Sequence, residues 1–197
     1  DSTGMVQANQ EITKDNTTVD VRGFGFNEAD STLRRNYWQF LEATTKEAQN
    51  ASQQLSRAGY NSLLKTGIRA SEEALKNIQS PAVLHIATHG FFFPDQVKST
   101  ASQQDEPIFK VNKNPMMRSG LLLAGANHAW QTGRPLRPDM EDGILTASEI
   151  SLMNLSGTEL VVLSACETGL GELSGNEGVY GLQRAFKIAG AKYLLMS

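Results

Sequence analysis

The run Glu-Leu-Val-Val-Leu-Ser at 159–164 holds four consecutive apolar residues with no polar residue alternating among them. A strand with one wet face alternates, whereas a run apolar towards both sides belongs in a sheet covered on both faces. Residues 19–24, 60–65, 82–88 and 191–197 also read as short buried strands, several of them near-continuous apolar runs. Helical stretches separate them. Thr44 and Glu47 form a capping-box pattern, after which Ala48, Ala51 and Leu55 recur at helical spacing up to Gly59. Ser71 heads a second helix carrying Ala74, Leu75 and Ile78 and stopped by Pro81. Ser174 or Asn176 heads a third, whose Val179, Leu182, Phe186 and Ala189 make one apolar stripe ending at Gly190. Strands alternating with helices in this order predict right-handed parallel crossovers. The expected fold is α/β, a three-layer αβα sandwich around a mostly parallel sheet. Two polar stretches, 95–119 and 127–142, flank a small apolar strand at 120–124 and read either as binding loops or as surface excursions.

At 197 residues the chain suits one domain, expected over 19–197, with the polar, aperiodic residues 1–18 as a linker or arm. The apolar run at 191–197 has no stop signal after it, so the expectation is a fragment, cut at the C-terminal end, whose sheet continues. Eighteen basic against 21 acidic side chains leave a net charge of −3, which disfavours binding nucleic acid by phosphate neutralisation. No apolar run approaches the roughly 18 residues that span a bilayer, so no membrane partner is expected. A single cysteine, Cys166, cannot form an internal disulfide. It fits a reducing, cytoplasmic setting, where a lone cysteine is a candidate nucleophile.

Two segments carry the chemistry. At 84–92 and at 160–169 an apolar strand runs directly into a reactive residue, His89 or Cys166, and then a glycine. Ligands bind open parallel sheets in the crevice beyond the carboxyl ends of the strands. Two such strands as neighbours bring His89 and Cys166 face to face, as thiolate attack with an imidazole proton shuttle requires. His85 lies at an even spacing from His89 and reads as a packed, hydrogen-bonded histidine that supports the site. His85, His89, His128 and Cys166 lack zinc-motif spacing, and His128 sits in a polar stretch as a solvated side chain. The glycines at 169–175 precede no Gly-Lys-Ser/Thr, so a phosphate-binding loop is not indicated. Phe91, Phe92 and Phe93 read equally as an apolar wall for substrate or as cover for the sheet edge.

His-Ile-Ala-Thr-His-Gly-Phe-Phe at 85–92 and Leu-Ser-Ala-Cys-Glu-Thr-Gly at 163–169 resemble the two signature motifs of the CHAT domain. That family consists of caspase-like cysteine peptidases, similar also to separases, gingipains and metacaspases. Ser-Gly-Leu-Leu-Leu-Ala-Gly-Ala-Asn at 119–127, Asp-Gly-Ile-Leu-Thr-Ala-Ser-Glu-Ile at 142–150 and Glu-Gly-Val-Tyr-Gly-Leu-Gln-Arg-Ala-Phe at 177–186 fit the family's pattern in the same order. So does the Thr44 helix leading to the Thr66-Gly67 turn, and the resemblance runs from about residue 40 to the end.

The resemblance implies a caspase-like sheet, His89 as catalytic histidine and Cys166 as nucleophile, acting as a dyad. It implies an oxyanion hole from the backbone N–H groups of Gly90 and Cys166, glycine at 90 also letting a substrate backbone approach. It places the substrate pocket around the residues before the cysteine and the end of the next strand. Ser164 and Ser197 stand there; Glu167, Asp142 and Glu141 are acidic candidates nearby, each of which reads more readily as a solvated carboxylate. Ser164 occupies the position where metacaspases, which cut after Arg or Lys, carry an acid. No metal or organic cofactor is implied. The expected partner is a protein substrate, such as a gasdermin-like pore former in prokaryotic defence. An adjoining sensor of tetratricopeptide repeats would control cleavage. The rival readings are a catalytically silent docking module and an acyl-transferring cysteine enzyme.

Overall fold

The computed structural model describes residues 37–93, 112–166 and 177–197. The expected strand at 19–24, the arm at 1–18 and Glu167 lie outside the described residues. In chain order the elements are α1 (Glu42–Arg57), a 3-10 turn (Gly67–Arg69), α2 (Glu72–Lys76), β1 (Val83–Phe92), a 3-10 turn (Pro115–Met117) and β2 (Ser119–Leu122). There follow α3 (Ala126–Thr132), β3 (Ile144–Thr146), α4 (Ala147–Ile150), β4 (Leu160–Cys166), α5 (Glu177–Ile188) and β5 (Tyr193–Met196).

These strands form a five-stranded sheet in the order β3-β2-β1-β4-β5. β1, β4 and β5 pair in parallel, β2 runs antiparallel to β1, and β3 antiparallel to β2. Four of the five strands therefore point the same way, and the chain is an α/β protein. The alternate residues Leu84, Ile86, Leu121, Leu145, Val161 and Leu163 project to one face, where they meet Leu182, Ala185 and Phe186 of α5 and Ala189 just beyond it. Three residues of the expected apolar stripe, Leu182, Phe186 and Ala189, are thus buried, while the side chain of Val179 lies outside the described ones. On the opposite face Phe91, Leu122 and Ile144 pack with Trp130 of α3 and with Phe93, and Trp38 covers them. α1 lies over β1 on this second side.

The sequence reading and the structure part company at three places. Residues 60–65 form no strand; Leu63 and Tyr60 are exposed, and among the described residues no neighbouring strand offers a ladder. α3, β3 and α4 have no counterpart in the sequence pattern, because each is too short to show a period. α4 nonetheless carries its own start signal, since Thr146 and Glu149 form a complete capping box. The same pattern at Thr44 and Glu47 does not cap α1. There the N-cap is Leu41, the Thr44 hydroxyl donates to its carbonyl at 2.7 Å, and Glu47 is drawn away to partners on the sheet. Ser71 does cap α2, accepting from the N–H of Ala74 at 3.2 Å.

Candidate active site

β1 and β4 pair in register from Val83 opposite Leu160 to His89 opposite Cys166. Adjacent strands lie about 4.8 Å apart, so the last residue of β4 stands beside the candidate base. The period of two puts positions 85, 87 and 89, with 162, 164 and 166, on the face that α1 overlies.

The histidine is aimed by the main chain. His89 Nε2 lies 2.7 Å from the carbonyl oxygen of Gln39. A carbonyl only accepts, so Nε2 carries the proton and Nδ1 presents the lone pair. Nδ1 is buried and has no hydrogen-bond partner among the described residues. The ring also rests on Trp38, with centroids 5.0 Å apart. Asn127 clamps the segment that does this orienting: its Oδ1 accepts from the Trp38 N–H at 2.7 Å, and its Nδ2 donates to the Trp38 carbonyl at 2.9 Å. Trp38 in turn meets the edge of Trp130 at 5.2 Å. The site therefore has a third group, Gln39 O, and a residue that positions it, Asn127. The sequence could not single out a backbone carbonyl, and Asn127 was legible only as part of a motif.

Asn127→Ala removes both ends of that clamp. It is expected to lower turnover about 10- to 100-fold and cost about 1–3 kcal/mol, because the Trp38 amide groups lose their partners. Steady-state kinetics with a thermal melt check this; unchanged kcat would show that the clamp does not orient His89.

Gly90 follows within β1. The N–H of Phe93 donates to Arg118 O at 2.8 Å, and antiparallel pairs alternate, so the Gly90 N–H turns away from β2 towards the end of β4. A Cβ at 90 would make only ordinary contacts, 3.6 Å from Ala165 Cβ, so packing does not require glycine here.

His85 is hydrogen-bonded, its Nε2 donating to Glu47 Oε1 at 2.9 Å. The other oxygen of Glu47 accepts from Ser164 Oγ at 3.2 Å. Ser164 thus lies on the face of Cys166, two residues before it, bridged to α1. Ser197 follows on β5, its N–H donating to Leu163 O at 3.1 Å.

The remaining candidates lie elsewhere. Asp142 precedes β3, two strands from β1, and its Oδ1 accepts from the Ile144 N–H at 2.8 Å. Glu141 pairs with Lys76 at 3.0 Å, alongside Glu72 at 2.6 Å and Glu149 at 2.9 Å. These three glutamates form a metal-sized cluster among the described residues, but the ammonium of Lys76 already pairs with each of them. Phe91, Phe92 and Phe93 are all buried, and are core rather than a wall for substrate. His128 sits on α3, half-buried, rather than in a loop.

Burial dominates the titration of that cluster. It pushes the Glu72 carboxyl up from an ordinary 4.5 to about 7, against the pull of Lys76, and raises Asp142 as well. The folded chain holds the Glu72 proton to about pH 7, while the unfolded chain loses it near 4.5. Folding takes up a proton in that window, so this contribution to stability is lost as pH rises through it. Thermal melts of wild type and Glu72→Gln from pH 5 to 8 should show wild type losing ground to the variant as pH rises. A difference that stays constant with pH would contradict this.

A family model for the CHAT domain matches residues 5–197. No curated protein and no solved structure matches the chain.

Proposed function

The chain belongs to the CHAT domain family, a family related to caspase-like peptidases, and from that premise we propose that it is a cysteine endopeptidase acting through Cys166 and His89. The observation that carries the reading is the in-register pairing of His89 with Cys166, together with a histidine whose Nε2 is held by Gln39 O and whose Nδ1 lone pair is unengaged among the described residues.

In this mechanism the Cys166 thiol gives its proton to His89 Nδ1, and the thiolate attacks the carbonyl carbon of the scissile peptide bond. The carbonyl electrons move onto oxygen, where the N–H groups of Gly90 and Cys166 stabilise the anion. As that oxyanion collapses the C–N bond breaks, and the departing amine takes the proton from Nδ1. A thioester remains. Water then attacks it, with Nδ1 as base, and the new carboxylate leaves as the thiol is restored. Throughout, Gln39 O holds the Nε2 proton and stabilises the imidazolium formed between steps. No step needs a metal or an organic cofactor. Ser164 and Ser197 are the nearer pocket residues, whereas the backbone partner of Asp142 supports a structural role for it.

The family resemblance alone supports the wider setting: a protein substrate such as a gasdermin-like effector, control by adjoining tetratricopeptide repeats, and a cytoplasmic location. Among the described residues no helix is long and apolar enough to cross a membrane.

The test is digestion of an unfolded protein mixture in ¹⁸O-water by wild type and Cys166→Ala, with new termini read by mass spectrometry. Hydrolysis gives ¹⁸O-labelled C-termini with wild type only. Unlabelled products joined to amines would show acyl transfer, and equal termini from both proteins, or none, would remove the peptidase reading in favour of a docking module.

A further inference from the structure

Beside the candidate nucleophile a carboxylate is held in place without being used up. Glu47 projects from α1 and receives two hydrogen bonds, from His85 Nε2 at 2.9 Å and from Ser164 Oγ at 3.2 Å. A carboxylate has about four lone-pair sites, so these donors fix it and, among the described residues, leave half of its capacity open. Its side chain is 39% exposed. Among the described residues its only ion-pair partner is His85, which when neutral leaves the full negative charge.

Its surroundings are covered on one side only. α1 overlies β1, but on the same face no element among the described residues covers β5, where Tyr193 is 60% and Leu195 58% exposed. Ser164 lies between the covered and open parts of this face. Ser197 extends the pairing of Leu163 with Met196 by one residue and so stands next to it. Both positions carry small side chains, and the Glu47 carboxylate is bonded to the first of them.

The distances select the occupant. Ser164 lies two residues before Cys166 along β4, a rise of about 6.7 Å. A substrate residue whose carbonyl is attacked at Cys166 places its Cα one bond from the reacting carbon. A lysine or arginine stem then extends about 6 Å, five bonds of a staggered chain at about 1.25 Å of advance each. Such a side chain brings a cation to the Glu47 carboxylate. A guanidinium matches its open sites in two-point geometry, an ammonium in one, and a carboxylate is repelled.

We infer that Glu47 is the specificity-determining residue for cleavage after arginine and, less efficiently, lysine. The inference rests on the peptidase reading above. Its test is a series of fluorogenic peptides differing only in the residue before the scissile bond: Arg, Lys, Gln, Leu and Asp. Wild type is expected to prefer Arg over Gln by roughly 30- to 100-fold in kcat/KM, with Asp slowest. Glu47→Gln, whose Oε1 can accept from His85 Nε2 while its Nε2 donates to Ser164 Oγ, should remove most of that preference and leave the Gln peptide within a few-fold. The wild-type ranking is itself decisive if the variant does not fold. Cys166-dependent cleavage with no preference for Arg, or a preference that Glu47→Gln retains, overturns the assignment and leaves the peptidase reading standing. No Cys166-dependent cleavage of any peptide overturns both.

Discussion

Cys166→Ala and His89→Ala are each expected to lower kcat/KM for peptide cleavage by about three orders of magnitude or more, and the double variant to be no slower than the slower single one. Groups that act as a unit fail together, because removing either leaves the other without its function. Without His89 a thiol with its free pKa of about 8.5 is mostly protonated at neutral pH, and no group protonates the leaving amine. The histidine variant also loses the ring contact to Trp38 and leaves Gln39 O without its donor. Its melting temperature should fall slightly, but by far less than loss of the fold requires. Kinetics and melts on the three variants check this. A double variant slowed by the full product of the two single effects would show two independent roles instead of one.

The largest effect on folding is expected at a glycine outside the catalytic pair. A Cβ at Gly120 would lie 2.3 Å from Leu145 O and 2.8 Å from both Thr146 Cα and a ring carbon of Phe91. Two of these three neighbours are the backbone of β3, which cannot recede without opening the pairing of Gly120 with Thr146. Gly120→Ala is therefore expected to destabilise by on the order of 3 kcal/mol or to prevent folding. Gly90→Ala is the matched control. Its Cβ would meet Ala165 Cβ at 3.6 Å and Gly120 O at 3.7 Å, so its stability should change little. Chemical denaturation of both variants separates them; equal stability would mean that β2 and β3 are not packed as described.

The sequence disclosed what depends on period and on reactive residue types. The apolar runs ahead of His89 and Cys166 became β1 and β4, and the stripe on α5 became the cover of one face. Elements held by tertiary contact were less legible. β3 is three residues long and exists because β2 pairs with it, and the apolar character of 60–65 made no strand without a partner. The same limit holds at the site. Gln39 acts through a carbonyl that every residue possesses, so no side chain announces it. Glu47 sits in a pattern that read as a helix cap, and only the packing of α1 over β1 turns it towards His85 and Ser164. Asp142 was near Cys166 in motif order, while the sheet order sets it three strands away.

The central claim is that His89 activates the Cys166 thiol, and alkylation of that thiol by iodoacetamide as a function of pH tests it most directly. Rates are read by mass spectrometry on Cys166 from about pH 5 to 10. The account predicts that wild type reacts through a thiolate populated well below pH 8.5, and that His89→Ala shifts the profile up to a single titration near that free value. Superimposable profiles for the two proteins, both titrating near 8.5, would contradict it.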